Sequence, residues 1–322
     1  MQDVRFYDFE FNLLHIENDI ISLEWYFKFN GIGNFEIHLK ADGDRVRIIM
    51  SHEYMVAIQG DRQAIITGKQ IVGNELILYG RTVNWILSKR VTPKFSTYKA
   101  DIGTNAEDIA RWAVSKAFGD VDNFVLAEKV GLDCDKEFWR NVYNPTSEVV
   151  TDCLDNAKAG HKVVFDLKNK RWVFSIYKGK DNPLVVSVGH RNVYSMTYDE
   201  DLQDYCGSGW YEAVSDDDGQ TESRWECVSK NDGKTGIYRW EGVLGGTSNS
   251  EAVSSLASRK WEKDCQVKSS SLHYGADYEL GDIMRVQYEF GSYKVSRKCR
   301  AVGVKIWYEC GNIGEIPIFD DI

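Results

Sequence analysis

Residues Trp25 to Leu39, WYFKFNGIGNFEIHL, contain two strand-like runs on either side of a glycine pair. Large apolar side chains occupy every second position around its central Gly31-Ile32-Gly33: Ile21, Leu23, Trp25, Phe27 and Phe29 before it, then Phe35, Ile37 and Leu39 after it. A period of two places successive side chains on opposite faces of a β-strand, and glycines allow a tight reversal between strands. The stretch therefore predicts a β-hairpin with one buried face.

Three further strand-like runs follow this hairpin, at residues 54–58, 64–71 and 75–79. Turn-forming sequences separate them, Gln59-Gly60-Asp61-Arg62 and Val72-Gly73-Asn74. Consecutive short strands joined by such turns are typical of an antiparallel meander. We expect residues 1–95 to form an antiparallel β-barrel-like domain.

Helical spacing replaces the strand period after Arg90. Thr104-Asn105-Ala106-Glu107 has the form of a capping box and predicts a helix over residues 105–118. Asn144-Pro145 predicts the start of a second helix, for which Gly160 is the expected stop. A hairpin over residues 161–177, turning at 168–171, completes a small α/β middle domain, residues 96–182.

Strand-like runs return after Pro183, at residues 184–188, 192–198, 209–214, 222–229, 237–243 and 267–273, with two more near the C-terminus. One helix is predicted among them because Ser248-Asn249-Ser250-Glu251 is a second capping box. Its core-facing residues are expected to be Ala252, Val253, Leu256, Ala257 and Trp261. The predicted fold class is α+β, mainly β, with a third domain over residues 183–322 that contains this inserted helix.

Charge and length limit the possible partners. The 322 residues carry 49 acidic and 39 basic side chains, a formal net charge of -10, so phosphates of nucleic acid and anionic lipid are repelled overall. The first ten residues mix charged and aromatic side chains, unlike a secretory signal, and no stretch approaches the roughly 18 to 20 apolar residues of a membrane helix. We expect no specific nucleic acid binding, no integral membrane association, and assembly in the cytoplasm.

Motifs of catalysis are missing from the sequence. It contains no phosphate loop, dinucleotide fingerprint, nucleophile elbow or zinc-protease motif, and its seven cysteines form no C-x-x-C pair. The acidic runs 199–201 and 216–218 fit no calcium loop and are interpreted as solvated turns. Six histidines are scattered: His15, His38, His52, His161, His190 and His273. We therefore name no catalytic, cofactor-binding or metal-ligating residue, and we predict no cofactor.

The sequence leaves two kinds of catalytic site undecided, a pair of carboxylates and a cysteine–histidine pair. Among 49 acidic residues, a pair of carboxylates suited to glycoside cleavage is always available, and its separation in space is not visible in the sequence. A cysteine nucleophile with a histidine partner is equally unconstrained.

Several segments, taken in chain order, resemble a family of siphophage and prophage tail proteins related to the hub at the tip of phage tails. They are the hairpin of residues 25–39, Ala64-Ile65-Ile66-Thr67-Gly68, Leu78-Tyr79-Gly80-Arg81, the helix of residues 250–263, and Tyr278-Glu279-Leu280-Gly281-Asp282-Ile283-Met284-Arg285-Val286. Met284 departs from the β-branched residue usual after the Leu-Gly-Asp turn, and Cys206-Gly207-Ser208-Gly209 departs from the family pattern. We expect Gly281 to occupy a constrained turn, so that Gly281→Val lowers stability.

The resemblance implies a structural subunit of a virion tail or tail-like particle, not an enzyme. It implies a homotrimer in which two antiparallel β-barrel-like hub domains per subunit surround a channel. The implied partners are other tail or baseplate proteins: the tail tube or distal tail ring, the tape measure, and a tip or spike. A peptidoglycan hydrolase and a glycan-binding host-attachment module are the alternative functions. The chain has little room for a lytic domain after its last strands, and its aromatic residues alternate as core residues do.

Overall fold

The computed structural model describes residues 3–93, 105–134, 143–217, 220–309 and 311–322. The chain divides into two compact units. We call Met1–Met196 with Gln266–Ile322 the large unit, and Thr197–Cys265 the small unit. Within the described ranges, no helix is long and apolar enough to cross a membrane.

The first part of the large unit is an antiparallel meander. Its elements are β1 Val4–Tyr7, β2 Leu13–Glu17, β3 Ile20–Lys28, β4 Asn34–Lys40, α1 Gly43–Met50, β5 Val56–Gln59, β6 Arg62–Val72 and β7 Glu75–Thr82. The predicted hairpin is confirmed as β3 and β4, which place Trp25 opposite Phe35 and Leu23 opposite Ile37. Helix α1 was not expected, since only Ile49 among its eight residues is fully buried and its periodicity is correspondingly weak.

Ile21 of strand β3 faces solvent, although the apolar alternation predicts it on the buried face of the hairpin. The register shifts between Ile20 and Ser22, so the strict alternation ends there. Ile20 is consequently buried, whereas Ile21 is 43% exposed. The prediction that Ile21 joins the buried row was wrong, because a bulge is not visible in an apolar pattern.

The middle of the chain contributes a helical layer and a small sheet. After a 3-10 helix, Val83–Lys89, come β8 Val91–Thr92, α2 Ala106–Ala117, β9 Phe124–Leu126, β10 Asn144–Pro145, α3 Thr146–Asn156, β11 Gly160–Asp166 and β12 Arg171–Tyr177. The helix predicted over 105–118 is confirmed within one residue at each end, with Asn105 as its N-cap. Thr104, the predicted cap, lies outside the described residues. Helix α3 ends before the predicted Gly160, because Lys158 already takes a left-handed φ of 51°.

Helices α2 and α3 pack on the three-stranded sheet β11-β12-β9. The predicted hairpin β11–β12 is confirmed, with Val163 opposite Phe174 and Phe165 opposite Trp172. These residues join Ile109 and the other apolar side chains of α2 and α3 in one buried core.

The last part of the chain supplies strands to both units. Its elements are β13 Asp181–Val186, β14 Val193–Asp201, β15 Ser208–Asp217, β16 Gln220–Ser229, a 3-10 helix Gly236–Tyr238, β17 Glu241–Val243, α4 Asn249–Ser258, β18 Glu262–Ser270, β19 Ile283–Phe290, β20 Tyr293–Glu309 and β21 Asn312–Asp321. The run predicted as a strand over 237–243 is thus partly 3-10 helix. Strands β14 and β18 pair with each other.

An eleven-stranded sheet joins the two ends of the chain inside the large unit. Its order is β13-β19-β20-β3-β4-β7-β6-β5-β1-β2, with β21 on β20. Strand β20 spans 17 residues and pairs with β19, β3 and β21, so Ile306 lies opposite Trp25. Strands from the first and third predicted ranges therefore share one sheet. The division of the chain into three domains, over residues 1–95, 96–182 and 183–322, stays a prediction.

The sheet is curled. Trp25 Nε1 donates to Gln59 Oε1 at 3.1 Å across its concave face, and Arg62 Nη2 donates to Glu315 Oε1 at 3.4 Å. The strand pairings that the structure describes run as an open path from β13 to β2 and do not close into a barrel. The mainly β class is confirmed.

The small unit is a three-stranded sheet, β16-β15-β17, with helix α4 on one face. The predicted capping box is confirmed: the Ser248 hydroxyl accepts from Glu251 N–H while Glu251 accepts from the Ser248 backbone. Ala252 and Leu256 enter the core with Cys206, Tyr211 and Leu244. Val253 and Ala257, also predicted to face a core, are exposed, because a helix of ten residues against a narrow sheet buries only one turn-spaced stripe. Trp261 was predicted to face a core as well, but the helix ends at Ser258, so Trp261 lies outside it and is 39% exposed.

Candidate functional site at the Leu280-Gly281-Asp282 turn

A cleft of about 1130 Å³ lies in the large unit, between the concave face of the sheet, the β11–β12 hairpin and the loop that precedes β19. Apolar side chains of β3 and β20 form one wall, including Trp25, Phe27 and Ile306. The polar groups in the lining include Asp61, Arg62, His161, Glu279, Asp282 and Glu315. The contacts of these polar side chains decide whether they converge on a ligand or hold the fold together.

Asp282 is buried and serves the fold. Its carboxylate accepts from Lys180 N–H at 3.1 Å, from Asn182 Nδ2 at 3.2 Å and from Glu279 N–H at 3.1 Å. A carboxylate that accepts several such bonds ties together the segments that supply them. The Asp of the Leu-Gly-Asp motif therefore fixes the start of β13 to the turn before β19.

Gly281 occupies the constrained turn predicted from the sequence. Its φ is +92°, and a Cβ added there would lie 2.3 Å from the Phe29 ring. The Arg300 guanidinium stacks over the same ring, 5.5 Å from its centroid, and donates to Gly281 O at 3.0 Å. The motif thus brings β20 and the end of β3 together around Phe29.

Glu315 is also engaged by its neighbours. Its carboxylate accepts from Tyr274 N–H at 2.8 Å and from Arg62 at 3.4 Å, and its backbone carbonyl accepts from Ser270 Oγ at 2.7 Å. These bonds fix β21 to the loop after β18 and to the β5–β6 turn. Both of these buried acidic residues of the cleft wall thus have structural partners.

His161 is buried and neutral. Asn30 Nδ2 donates to Thr151 O and to Asp155, so Asn30 Oδ1 must accept the contact at 2.8 Å from His161 Nδ1. The Nδ1 atom therefore carries the proton, and the buried Nε2 has no hydrogen-bond partner. Burial lowers the pKa of this imidazole to about 4.

Burial also raises the pKa of Glu279, and it raises that of Tyr274 to about 12. A carboxyl group with a raised pKa is one requirement of a general acid. The Tyr274 hydroxyl therefore stays protonated at neutral pH. A raised pKa at one carboxyl group does not by itself define a catalytic site, which needs several groups in a convergent geometry.

One serine–histidine contact does occur. Ser187 Oγ lies 2.8 Å from His190 Nδ1, but the same hydroxyl accepts from His190 N–H at 3.1 Å, inside a four-residue turn. Ser187 is buried. The contact therefore caps a turn and does not resemble an exposed, activated nucleophile.

The remaining histidines lie apart from the cleft or on its rim. His15 contacts Glu17, His38 contacts Glu36 and Glu75, and His273 lies 3.8 Å from Glu315. Over the described ranges, no group of three or more His, Cys, Asp or Glu side chains could hold a metal ion. The acidic run 199–201 ends strand β14, whereas Asp218 lies outside the described residues.

The curled sheet, the helical layer and a cleft in which Asp282 and Glu315 bind distant parts of the chain define a mainly β protein. Residues 3–206 match the family model described as Siphovirus ReqiPepy6 Gp37-like protein. Because this match covers more than half of the chain, the chain belongs to that family of siphovirus tail proteins. None of the curated proteins compared with the chain is similar to it.

Solved structures share the fold over nearly the whole chain. The tail protein from Neisseria meningitidis MC58 superposes with a TM-score of 0.61 and 12% identity, over 99% of this chain and 96% of that one. The 43 kDa tail protein of prophage MuSo2 from Shewanella oneidensis superposes with a TM-score of 0.61 and 8% identity, over 99% of this chain and 98% of that one. A chain of the Francisella PdpA–VgrG complex superposes with a TM-score of 0.52 and 9% identity, over 99% of this chain and 58% of that one. At identities this low, the structural similarity establishes a shared fold and nothing further.

Proposed function

We propose that this protein is a hub subunit at the tip of a phage or prophage tail, where a ring of copies forms the channel and joins the tail tube to the tip. The observation that carries the proposal is the shared fold: two tail proteins match it over 96% and 98% of their own length as well as 99% of this chain. Because a fold alone does not determine a function, the proposal adds to this likeness the membership of the chain in a family of siphovirus tail proteins.

The cleft supports a role without catalysis. Asp282 and Glu315 each bind groups from distant parts of the chain, and His161 is fixed as a neutral donor to Asn30. These interactions make a rigid junction between sheet, hairpin and loop. A ring subunit needs such rigidity, because the bore and the contacts between copies depend on a fixed geometry.

A homotrimer located in the virion tail is part of the proposal. Rings of identical subunits use cyclic symmetry, and a curled sheet in each subunit suits the barrel-like units of a hub. The partners are other tail or baseplate proteins: the tail tube or distal tail ring, the tape measure, and a tip or spike. The PdpA–VgrG complex, in which a chain of similar fold assembles with a different protein, supports association of this kind.

Electron microscopy of the purified protein tests the proposal. We expect class averages with threefold symmetry and a central opening, because each copy contributes the same contacts to the ring. Particles of single-subunit size at micromolar concentration, or closed assemblies without an opening, would contradict the hub.

Zymography on bacterial cell walls tests the absence of enzymatic activity separately. We expect no clearing by the pure protein, since the hydrogen bonds of Asp282, Glu315 and His161 serve the fold. A clearing band at 36.8 kDa would show a peptidoglycan hydrolase instead.

A further inference from the structure

The cleft of the large unit contains four charged side chains that the fold does not use. Asp282 and Glu315 are held by hydrogen bonds from distant segments. The other four are exposed, and within the part of the chain that the structure describes their side chains make no hydrogen bond or ion pair: Asp61, Lys162, Glu279 and Lys180. Polar groups that line a cleft in this way are available to a ligand.

These four side chains, which we call the free cluster, lie close together. Lys180 N–H and Glu279 N–H both donate to the Asp282 carboxylate at 3.1 Å, so the two side chains leave the cleft wall next to each other. Burial raises the pKa of Glu279, and the charges of Lys162, Lys180 and Asp61 also affect this pKa. Because charges shift a pKa mainly at short range, the free cluster converges on Glu279.

The remaining basic residues of the lining are engaged elsewhere. Lys28 Nζ lies 5.6 Å from the centroid of a tyrosine ring outside the lining, and Lys178 Nζ donates to a backbone carbonyl at 3.0 Å. Arg62 and His273 both contact Glu315. The charged groups that the cleft leaves free are therefore two basic and two acidic side chains.

Equal numbers of free basic and acidic groups favour a ligand without net charge. A strongly anionic ligand would meet Asp61 and Glu279, and a strongly cationic one would meet Lys162 and Lys180, so either makes unfavourable like-charge contacts. A hydroxyl group both donates and accepts, so it can bind a carboxylate and an ammonium group at once. The free cluster thus fits a neutral ligand that carries several hydroxyl groups.

Aromatic rings line the same cleft. Phe27, Tyr177 and Tyr274 are partly exposed, and the ring centroids of Phe27 and Tyr274 are 6.1 Å apart, with their planes inclined by 29°. A pyranose ring has apolar C–H faces, which pack on aromatic side chains, and a rim of hydroxyl groups. The volume of about 1130 Å³ has room for several such rings.

The backbone of the cleft wall does not offer a place for a peptide strand. On the edge of β11 that borders the cleft, Val163 N–H donates to Asn84 Oδ1 and Phe165 N–H donates to Gln63 Oε1, both at 2.7 Å. Gln63 Nε2 donates back to Phe165 O at 3.0 Å. An extended peptide binds a sheet edge through free main-chain groups, and these are already occupied by amide side chains. Recognition in the cleft therefore falls to side chains.

We propose that the cleft binds a neutral oligosaccharide, whose sugar faces pack on the aromatic rings and whose hydroxyl groups bind the free cluster. The hydroxyl groups donate to Asp61 and Glu279 and accept from Lys162 and Lys180. This binding site goes beyond the proposed hub function. It does not depend on that function, because all of its groups lie in one subunit.

Calorimetric titration with four neutral hexasaccharides tests the site: cellohexaose, chitohexaose, maltohexaose and xylohexaose. We expect at least one of them to bind with a dissociation constant below about 1 mM. Hexagalacturonate, which carries a carboxylate on every ring, and an end-blocked hexapeptide of alanine and serine are the charged and peptide comparisons. Both are expected to bind at least about tenfold more weakly than the best neutral saccharide.

Substitutions in the free cluster locate the site. Glu279→Ala and Lys180→Ala each remove a side chain but keep the backbone N–H group that binds Asp282. We expect each to raise the dissociation constant of that saccharide at least about tenfold, because hydrogen bonds to a charged group are lost. Glu148→Ala on α3 and Lys116→Ala on α2, exposed residues outside the cleft, are the matched controls and should not change it. Thermal melting shows that each variant is folded.

Lysine acetylation gives a second, independent measurement. We expect Lys162 and Lys180 to lose reactivity when the protein is saturated with the saccharide, because hydroxyl groups then cover their ammonium groups. Lys116 should react at the same rate with and without the saccharide. Mass spectrometry of proteolytic peptides measures all three rates.

The outcomes separate the saccharide site from the hub. If none of the four hexasaccharides binds with a dissociation constant below about 1 mM, the inference is wrong. It is also wrong if a saccharide binds but neither the free-cluster variants nor the acetylation rates respond, or if hexagalacturonate or the hexapeptide binds more tightly. A ring that binds no saccharide leaves the hub intact, whereas a protein of single-subunit mass that binds saccharide contradicts only the hub.

Discussion

Gly281 shows how a single position fixes the junction between distant segments. A side chain here meets the Phe29 ring and also needs a positive φ, whereas Gly275, at φ +86°, has no atom within 4 Å of an added Cβ. Gly275→Ala therefore isolates the cost of the backbone conformation. We expect Gly281→Ala to lower the free energy of unfolding by about 2 to 5 kcal/mol and Gly275→Ala by about 1 kcal/mol. Chemical denaturation measures both, and equal losses would show that Phe29 accommodates the methyl group.

His161 predicts a specific pH dependence. Its pKa is about 4 in the folded state and about 6.5 in the unfolded chain, so the unfolded state binds one more proton between these values. The free energy of unfolding is therefore highest above pH 6.5. It falls by about 3 kcal/mol as the pH drops from 6.5 toward 4, because protonation of His161 then favours the unfolded chain. His161→Asn keeps an N–H donor for Asn30 but does not titrate. We expect a shallower decline of the melting temperature from pH 6.5 to 4, and an unchanged decline would contradict the assignment.

Gly281, Asp282 and His161 show how much of the site can be predicted from the sequence. The Leu-Gly-Asp motif indicated a constrained turn, because Leu280 and Ile283 flank it and the apolar run of a buried strand follows. The partners of Asp282 could not be predicted, since Lys180 and Asn182 lie about a hundred residues away in the chain. The buried role of His161 was hidden for the same reason: its partner Asn30 belongs to the first hairpin.

Glu107 of helix α2 has a role that its capping motif does not predict. In a capping box this residue reaches back to the N-cap backbone, and the predicted cap, Thr104, lies outside the described residues. The buried Glu107 carboxylate accepts from Val130 N–H at 2.8 Å and Leu132 N–H at 3.0 Å. The side chain thus fixes the segment after β9 against the helix, and the Asn105 side chain caps the helix.

We expect Glu107→Ala to cost about 2 to 4 kcal/mol of unfolding free energy, because it leaves two backbone N–H groups without an acceptor. Ser248→Ala, at the exposed cap of α4, is the comparison and is expected to cost about 1 kcal/mol. Urea midpoints at constant m-value measure the difference. A smaller loss for Glu107→Ala than for Ser248→Ala would contradict the second role of Glu107.

Elements with strong periodicity were predictable. The hairpins β3–β4 and β11–β12 and helices α2, α3 and α4 follow from apolar spacing, glycine turns and caps. Strands β1 and β2 and helix α1 did not follow, because short elements bury too few residues to show a period. The bulge at Ile20 depends on how β3 pairs with β4, which no local pattern records.

The whole molecule depends on pairing between its two ends. Strand β20 lies beside β3, although almost 300 residues separate Trp25 from Ile306 in sequence. Alternation identifies a strand but not its neighbour, so the shared sheet was not predictable from the apolar pattern. The family resemblance carried the prediction of function, because the individual motifs indicate turns and strands and no chemistry.

The charge of the whole molecule predicts weak interaction with DNA. A conduit must let its cargo pass, and basic side chains along the bore would bind phosphates and resist sliding. With 49 acidic and 39 basic residues, we expect no detectable binding to duplex DNA even near about 50 mM salt. Fluorescence anisotropy with a labelled duplex measures this. Tight, salt-dependent binding would contradict a passive conduit.

The molar mass in solution, measured by light scattering at several concentrations, tests the hub most directly. We expect a species of three times 36.8 kDa that persists on dilution, because a ring closes all of its heterologous contacts at once. A mass of 36.8 kDa at every concentration would contradict it.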